Sequence, residues 1–412
     1  MASSNWARDY YTRFHALDIP HLGPYPDLER LTPAQGEGMS ALFRDFAEPM
    51  RQFAQATAGS LSSASPGQVV PVDSPWHAWV LLQILQRAAH NVDGRTNGTP
   101  EYFVELVFRG QANAVYDVEP SFHRKTTDQE LERRKLELFT LAFGAPWIWS
   151  TIGIALPPLG AKATAQHYQQ ALTDLVDITG DPAVAVRFAS MSDKPQTRSA
   201  VFVYDLNGFL REGAALVMPP PLVNRLYLQR GAFLSVEPSQ LALLKDWRLK
   251  IEFPHDAGFQ VVRGGAEVDI LPEDDWFKAV HKACAKFLGS AEVHAAMEPA
   301  ALNKFQEKML EAAGAPKVVH SGEAHSGVHL LRWVEGFQEM LYWYAVRVSE
   351  ATDTEAAREG FLPNIARNIA EHNPELVRLA AELYRKEGKG SYAAYWEQML
   401  SEVQDNKKPL AL

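Results

Sequence analysis

At 412 residues the chain is long enough to bury a full core and to hold more than one lobe, and its 46% hydrophobic and 22% charged residues are those of a globular protein. A formal net charge of −10 argues against a protein whose main task is to grip a nucleic-acid backbone, while leaving room for a local basic cleft. A single cysteine, Cys284, excludes a disulfide framework and fits a reducing cytoplasm; no stretch reaches the ~20 apolar residues of a membrane crossing, and no signal peptide is expected at the N-terminus.

Residues 1–58 open with an aromatic, proline-marked segment and continue into an expected helix over 39–57, which Pro49 should kink. The Ser, Gly and Pro-rich stretch 59–72 reads as a linker. Ser74 and Pro75 form a helix start, cap followed by first-turn proline, and Trp76, Val80 and Ile84 begin an apolar stripe that continues to Asn91. After a loop over 91–100, residues 102–108 are β-branched and aromatic, as in a buried strand. Arg109 at the strand's end, followed by Gly110 as a turning residue, points a charge into a cleft or serves as a solvated strand end.

Thr127 to Glu130 spell a capping box for a helix that ends at Phe143. A helix over 161–175 carries Gln166, His167 and Tyr168, and a short strand over 176–179 carries Asp177 and Thr179. Asp181 and Pro182 then cap and start a further helix. Strands are expected over 200–204, 224–228 and 232–236, with a proline loop at 218–221, and helices over 273–288, 299–313, 327–350, 356–372 and 374–402. This order divides the chain into an N-terminal helical segment with linker (1–72), a central α+β domain with its leading helix (73–288) and a helical C-terminal region (289–412).

Several blocks along the centre resemble one bacterial family. Phe108-Arg109-Gly110-Gln111, with Pro120, Ser121 and Arg124, resembles the opening of the FRG domain, which is named for this triplet. Gln166-His167-Tyr168 resembles its Gln-His-Tyr block, Asp177-Ile178-Thr179 and the helix through Phe188-Ala189 its Asp-x-Thr strand and following helix, and Gln229 to Phe233 its closing signature. Together the blocks span about residues 100–240. They depart from the family after Tyr168, where residues 169–173 replace the usual Gly and Pro-Thr.

The element order also resembles the α+β fold of the ADP-ribosyltransferases. That resemblance implies NAD as substrate, with Arg109 on its phosphates, Gln111, Ser121, Arg124, Thr179 and Gln229 around it, and Asp177 or His167 assisting glycosidic cleavage. Nicotinamide departure leaves an oxocarbenium-like sugar that a carboxylate stabilises. Where the transferases carry a glutamate this chain has Asn224 or Arg225, so the carboxylate must come from elsewhere, Asp177 first and Glu105 second.

Each residue also has a structural reading. Arg109 could be an ion-pair partner, His167 a hydrogen-bonded core histidine, Asp177 a helper in capping, Thr179 a plain strand residue, and Gln229 a partner of buried backbone groups; Ser121 and Arg124 serve equally well as turn residues. His320, His325 and His329 look like a metal cluster, but Ser326 as a helix cap separates His325 from the face of His329, and no metal is expected.

The resulting expectation is a cytoplasmic NAD-using ADP-ribosyltransferase-like toxin or antiviral defence effector. Its target would be a protein or nucleic acid, with an antitoxin or regulatory partner conceivable and no membrane involved. Two alternatives stand beside it: a metal-independent RNase using His167, Asp177 or Arg109, and a non-catalytic ligand sensor or adaptor.

Overall fold

The computed structural model describes residues 6–19, 31–62, 68–92, 106–124, 127–143, 158–167, 171–192, 196–217, 229–246, 248–271 and 390–406, with isolated positions between 21 and 26 and between 370 and 388. The expected strand over 224–228, the proline loop at 218–221, the helices between 273 and 369, and Glu105, Tyr168, Cys284, His320, His325 and His329 lie outside the described residues.

The first helix, α1 (Trp6–Ala16), was not expected, although its pattern is plain in retrospect: Ala7, Tyr10, Tyr11 and Phe14 recur at helical spacing and are all buried. A two-residue hairpin follows, β1 (His21–Leu22) with β2 (Tyr25–Pro26). Helix α2 (Pro33–Ser62) is longer than expected at both ends and runs through Pro49. Its C-terminal turn occupies the start of the expected linker, and the end of that stretch is strand β3 (Val69–Pro71). Helix α3 (Pro75–Val92) starts as expected, with the Ser74 hydroxyl accepting from the His77 amide at 3.3 Å.

The central region runs β4 (Leu106–Gln111), a 3₁₀ turn at Ser121–His123, α4 (Gln129–Phe143), α5 (Pro158–His167), β5 (Leu175–Thr179), α6 (Pro182–Ser190), β6 (Arg198–Asp205), α7 (Leu206–Arg211), β7 (Ala215–Val217), β8 (Gly231–Ser235), α8 (Leu243–Asp246) and β9 (Arg248–Pro254). A hairpin, β10 (Val261–Arg263) with β11 (Ala266–Val268), comes next, and α9 (Gly390–Asn406) lies near the C-terminus. Strands β9, β10 and β11 were missed in the sequence. The cap of α4 is Asp128, whose Oδ1 accepts from the Leu131 amide at 3.1 Å, one residue later than the expected Thr127. The helix expected over 374–402 is interrupted, because Gly388 takes a left-handed φ of 77°.

The helix expected over 161–175 ends at His167 within the described residues, and residues 171–174 are not helical. Non-helical partners, two of them from outside the segment, explain why. The Leu172 amide donates to Glu132 Oε2 at 2.7 Å, the Thr173 carbonyl accepts from the Phe122 amide at 3.1 Å, and the Thr173 hydroxyl donates to Gln166. Tertiary hydrogen bonds have replaced the helical ones.

Among the described residues seven strands form one mixed sheet in the order β3-β9-β6-β4-β5-β8-β7, parallel only between β3 and β9. Its α+β architecture is the one expected from the element order. Helices α3 and α6 cover one face, and α1 and α2 pack outside them, so that Tyr10, Phe14, Met39, Trp79, Val184 and Phe108 share one core. Helices α4 and α5 pack together, with α5 against β5 and β7.

Candidate functional site

In the middle of the sheet, β4 and β5 are joined by a single residue pair, Phe108 with Thr179. On its other side β4 pairs with β6 over six residues, from Leu106 with Asp205 to Gln111 with Ala200. Past Phe108 the strands therefore part, and the Arg109 side chain reaches across the gap. Its Nη1 donates to the Asp177 carbonyl oxygen at 3.0 Å and to Asp177 Oδ2 at 3.0 Å. A guanidinium has taken the place of the next rung of the ladder.

Gly110 does not turn the chain, as expected from the sequence; it lies within β4, paired with Val201. Its role is contact. A Cβ at this position would stand 2.0 Å from the Ala185 carbonyl oxygen, 2.7 Å from the Ala189 nitrogen and 2.8 Å from Phe188 Cβ. Only glycine lets α6 lie this close to the strand.

Helix α6 is fixed at its other end by Asp181. Its Oδ1 accepts from the Ala183 amide at 2.9 Å and the Val184 amide at 3.4 Å, the N-cap expected from the sequence. Its Oδ2 meets Arg263 Nη2 at 2.9 Å and Arg230 Nη1 at 3.8 Å. Burial alone would raise the carboxyl's pKa, but Arg263 and Arg230 outweigh it and hold the group far below the usual carboxylate range. Arg230 takes a left-handed φ of 44° beside the cavity wall, a conformation that only the surrounding contacts sustain.

A cavity of about 300 Å³ opens at the split. Arg109, Gln166, His167, Asp177, Thr179 and Gln229 supply its polar lining, and Phe108, Ile178, Phe188, Phe233 and Leu271 its apolar wall. Five of the eight residues singled out in the sequence thus meet in one place: Arg109, His167, Asp177, Thr179 and Gln229. Gln111, Ser121 and Arg124 are not among the lining residues. Gln111 ends β4, the Ser121 hydroxyl donates to the Thr173 carbonyl at 3.3 Å, and Arg124 closes the 3₁₀ turn in an exposed position.

The lining residues differ in what they offer. The Arg109 side chain is 19% exposed and that of Asp177 is 55% exposed, so a mostly enclosed cation faces a carboxylate with room to move. Thr179 is committed to the scaffold: its hydroxyl donates to the Gln229 carbonyl at 2.6 Å and accepts from the Asp181 amide at 3.0 Å. Gln229 is also engaged, donating through Nε2 to the Ile270 carbonyl at 2.7 Å, which brings Leu271 to the cavity wall. The reading of Gln229 as a partner of buried backbone groups describes this contact. Gln166, quoted in the sequence only as part of a block, and Phe188 are cavity residues that were not singled out.

The sheet face that carries Arg109 holds four further side chains from β6 and β9. Cross-strand pairing sets Arg109 beside Phe202 and Lys250, and Val107 beside Tyr204 and Arg248. Lys250 Nζ donates to the Ala114 carbonyl at 2.5 Å, and Arg248 Nη2 to Asp117 at 3.0 Å, which anchors the segment after β4. This second basic row was not read from the sequence, because β9 was not recognised as a strand.

Among the described residues no group of His, Cys, Asp and Glu is placed to hold a metal ion, and no helix is long and apolar enough to cross a membrane. Comparison with curated proteins and with solved structures gives no match. The family model described as the FRG domain matches residues 104–198, a span that takes in β4, α4, α5, β5 and α6 and reaches the first residue of β6. Gln229 and Gly231 lie beyond that span but complete the same cavity. With Arg109-Gly110 at the split and the Asp177-to-Thr179 strand opposite, residues 104–198 of the chain are identified as an FRG domain.

Proposed function

We propose that the cavity binds NAD and that the protein transfers ADP-ribose to a macromolecular target, in the manner of a toxin or defence effector. The observation that carries this reading is the Arg109 guanidinium, mostly buried, placed in the split between β4 and β5 and facing a carboxylate and an imidazole across an aromatic-walled cavity. A buried guanidinium is suited to phosphate oxygens, which it can engage through paired hydrogen bonds. About 300 Å³ is the lower end of the usual range for ligand sites, enough for the nicotinamide ribose and one phosphate, with the adenosine half further out.

The lining residues fit such a ligand. Phe108, Phe188 and Phe233 offer apolar surface for a flat ring. NAD supplies an electrophilic sugar carbon once its glycosidic bond stretches. Asp177, on the cavity wall, would stabilise the positive charge that develops there, and His167 would take the proton of the attacking group. Arg109 would hold the phosphates while the bond breaks.

The test is nicotinamide release from NAD by the purified protein, with cell lysate as acceptor, beside Arg109→Ala. Release that falls at least ~100-fold in the variant, the scale of losing one preorganised electrostatic partner, supports the reading. No release with lysate present would sink the transferase.

A second reading, the non-catalytic sensor, is favoured by one observation: the Asp177 carboxylate is already engaged with Arg109, and the Thr179 hydroxyl is spent on the backbone. It expects ADP-ribose or NAD to bind, measurable by calorimetry, with no nicotinamide released.

A further inference from the structure

Two buried polar atoms near the cavity are left without partners. Nε of Arg109 and the hydroxyl of Tyr204 are both enclosed, and neither makes a hydrogen bond. They share a sheet face: Arg109 pairs across β4–β6 with Phe202, and Tyr204 sits two residues further along β6 on the same side. Such diagonal neighbours lie roughly 7–8 Å apart at Cα, within reach of an arginine and a tyrosine side chain. Tyr204 is 0% exposed and stacks beside Phe202, with the edge of Phe209 against it. Burial raises the phenol's pKa, with Arg109 and Arg248 opposing, so the hydroxyl keeps its proton.

A buried donor and a buried acceptor left apart in the same neighbourhood need an explanation, because such groups are nearly always satisfied. The contact that keeps them apart is the Arg109–Asp177 pair, which draws the guanidinium to the β5 side of the split. Asp177 is more than half exposed, so its carboxylate can leave without a packing penalty.

We propose that Arg109 has two stations, Asp177 in the free protein and the hydroxyl oxygen of Tyr204 once an anionic ligand has displaced the Asp177 carboxylate. Tyr204 is then the positioning residue that holds the guanidinium against the ligand's phosphate, and Asp177 is an internal competitor for that cation. This rests on the cavity taking a phosphate-bearing ligand. Binding would bring Nε–H of Arg109 to the tyrosine oxygen while Nη1 and Nη2 stay with the ligand.

Arg248 is the other candidate partner for Tyr204, since its Nε and Nη1 are also buried without partners and it pairs directly opposite on β9. Its Nη2 is held by Asp117 at 3.0 Å and its guanidinium lies 5.3 Å above the Phe202 ring.

The experiment measures the affinity of the full chain for ADP-ribose and inorganic pyrophosphate by calorimetry, in wild type, Asp177→Asn and Tyr204→Phe, with the melting temperature of each. Asp177→Asn is expected to bind about tenfold more tightly, because the competing charge is gone. Tyr204→Phe is expected to bind about tenfold more weakly while melting at the same or a higher temperature, since it deletes a buried hydroxyl that has no partner in the free protein. In the NMR spectrum, the Arg109 Nε–H signal should shift on ligand addition in wild type and not in Tyr204→Phe.

Tyr204→Phe with unchanged affinity, or an Nε–H shift at Arg248 instead of Arg109, would overturn the proposal. So would Asp177→Asn binding no better than wild type. If none of the three proteins binds either ligand, it is the phosphate-ligand reading of the cavity that fails, and this inference falls with it.

Discussion

Gly110 shows at the scale of one residue how a motif can be legible while its cause is not. The triplet stands out in the sequence, and a glycine after a strand cation suggests a turn; the structure puts it mid-strand, against the backbone of α6. No one-dimensional pattern reports which helix will lie over a strand. Gly110→Ala is therefore expected to destabilise the fold by more than the about 1–3 kcal/mol of an ordinary overpacked methyl group, because the nearest atoms are main chain and cannot rotate away. Chemical denaturation checks this: a midpoint unchanged from wild type would mean that α6 slides freely on the sheet. Thr179 makes a similar case. Thr179→Val keeps shape but strands the Asp181 amide and the Gln229 carbonyl, so a loss of about 1–3 kcal/mol is expected from their lost partner, together with a slackened cavity wall.

At the scale of elements, local signals were read well and distant ones poorly. Ser74 and Asp181 cap their helices as the sequence indicates, because a cap depends on two or three neighbouring residues. The helix continued to 175 fails because Glu132, forty residues away, holds the Leu172 amide. Strand β9 was missed although Arg248, Lys250 and Glu252 alternate with Leu249, Ile251 and Phe253, the period of a half-buried strand; what the sequence does not carry is that its charged face is covered by β6 and the segment after β4. The candidate site follows the same division. Arg109, Asp177 and His167 came from motif blocks, whereas Tyr204 and Arg248 needed the sheet register.

Asp181 binds these elements together, since one carboxylate caps α6 and receives Arg263 from β10 and Arg230 from the turn before β8. Asp181→Ala removes the cap and leaves two cations facing each other without their shared partner. A loss of about 3–5 kcal/mol is expected for breaking such a buried pair, well beyond the about 1 kcal/mol of a cap alone. Asp181→Asn separates the two contributions: the amide keeps the cap oxygen and loses the charge. If both variants unfold at the same denaturant concentration, the arginines contribute nothing beyond the cap. The turn Thr179-Gly180-Asp181 is also gripped from α3, where Gln86 Nε2 donates to the Gly180 carbonyl at 3.2 Å.

The whole molecule carries its most specific pH signature at His15, on the first helix. Its ring packs between Tyr11 at 4.5 Å, Phe14 at 5.3 Å and Trp79 at 5.3 Å, and its backbone carbonyl accepts from Gly265 between β10 and β11. Burial lowers its pKa to about 4, with Arg263 and Arg230 pushing the same way and Asp181 opposing. In the unfolded chain the imidazole titrates near its ordinary 6.5. Between pH 6.5 and 4 the unfolded state therefore takes up a proton that the folded state refuses, and stability falls as the pH drops through that window. The shift corresponds to about 3 kcal/mol lost by pH 4, below which both states are protonated and His15 adds no further slope. His77 is depressed by burial too and contributes in the same direction, whereas Asp181 loses its contribution only at lower pH, below its unfolded value of 3.8. His15→Gln should flatten the stability profile between pH 6.5 and 4 relative to wild type and leave the steeper acid limb in place. Denaturation midpoints at half-unit pH steps decide the matter: parallel profiles for the two proteins would show that α1 opens before the imidazole is protonated, and that the first helix is not tied to the sheet through this contact.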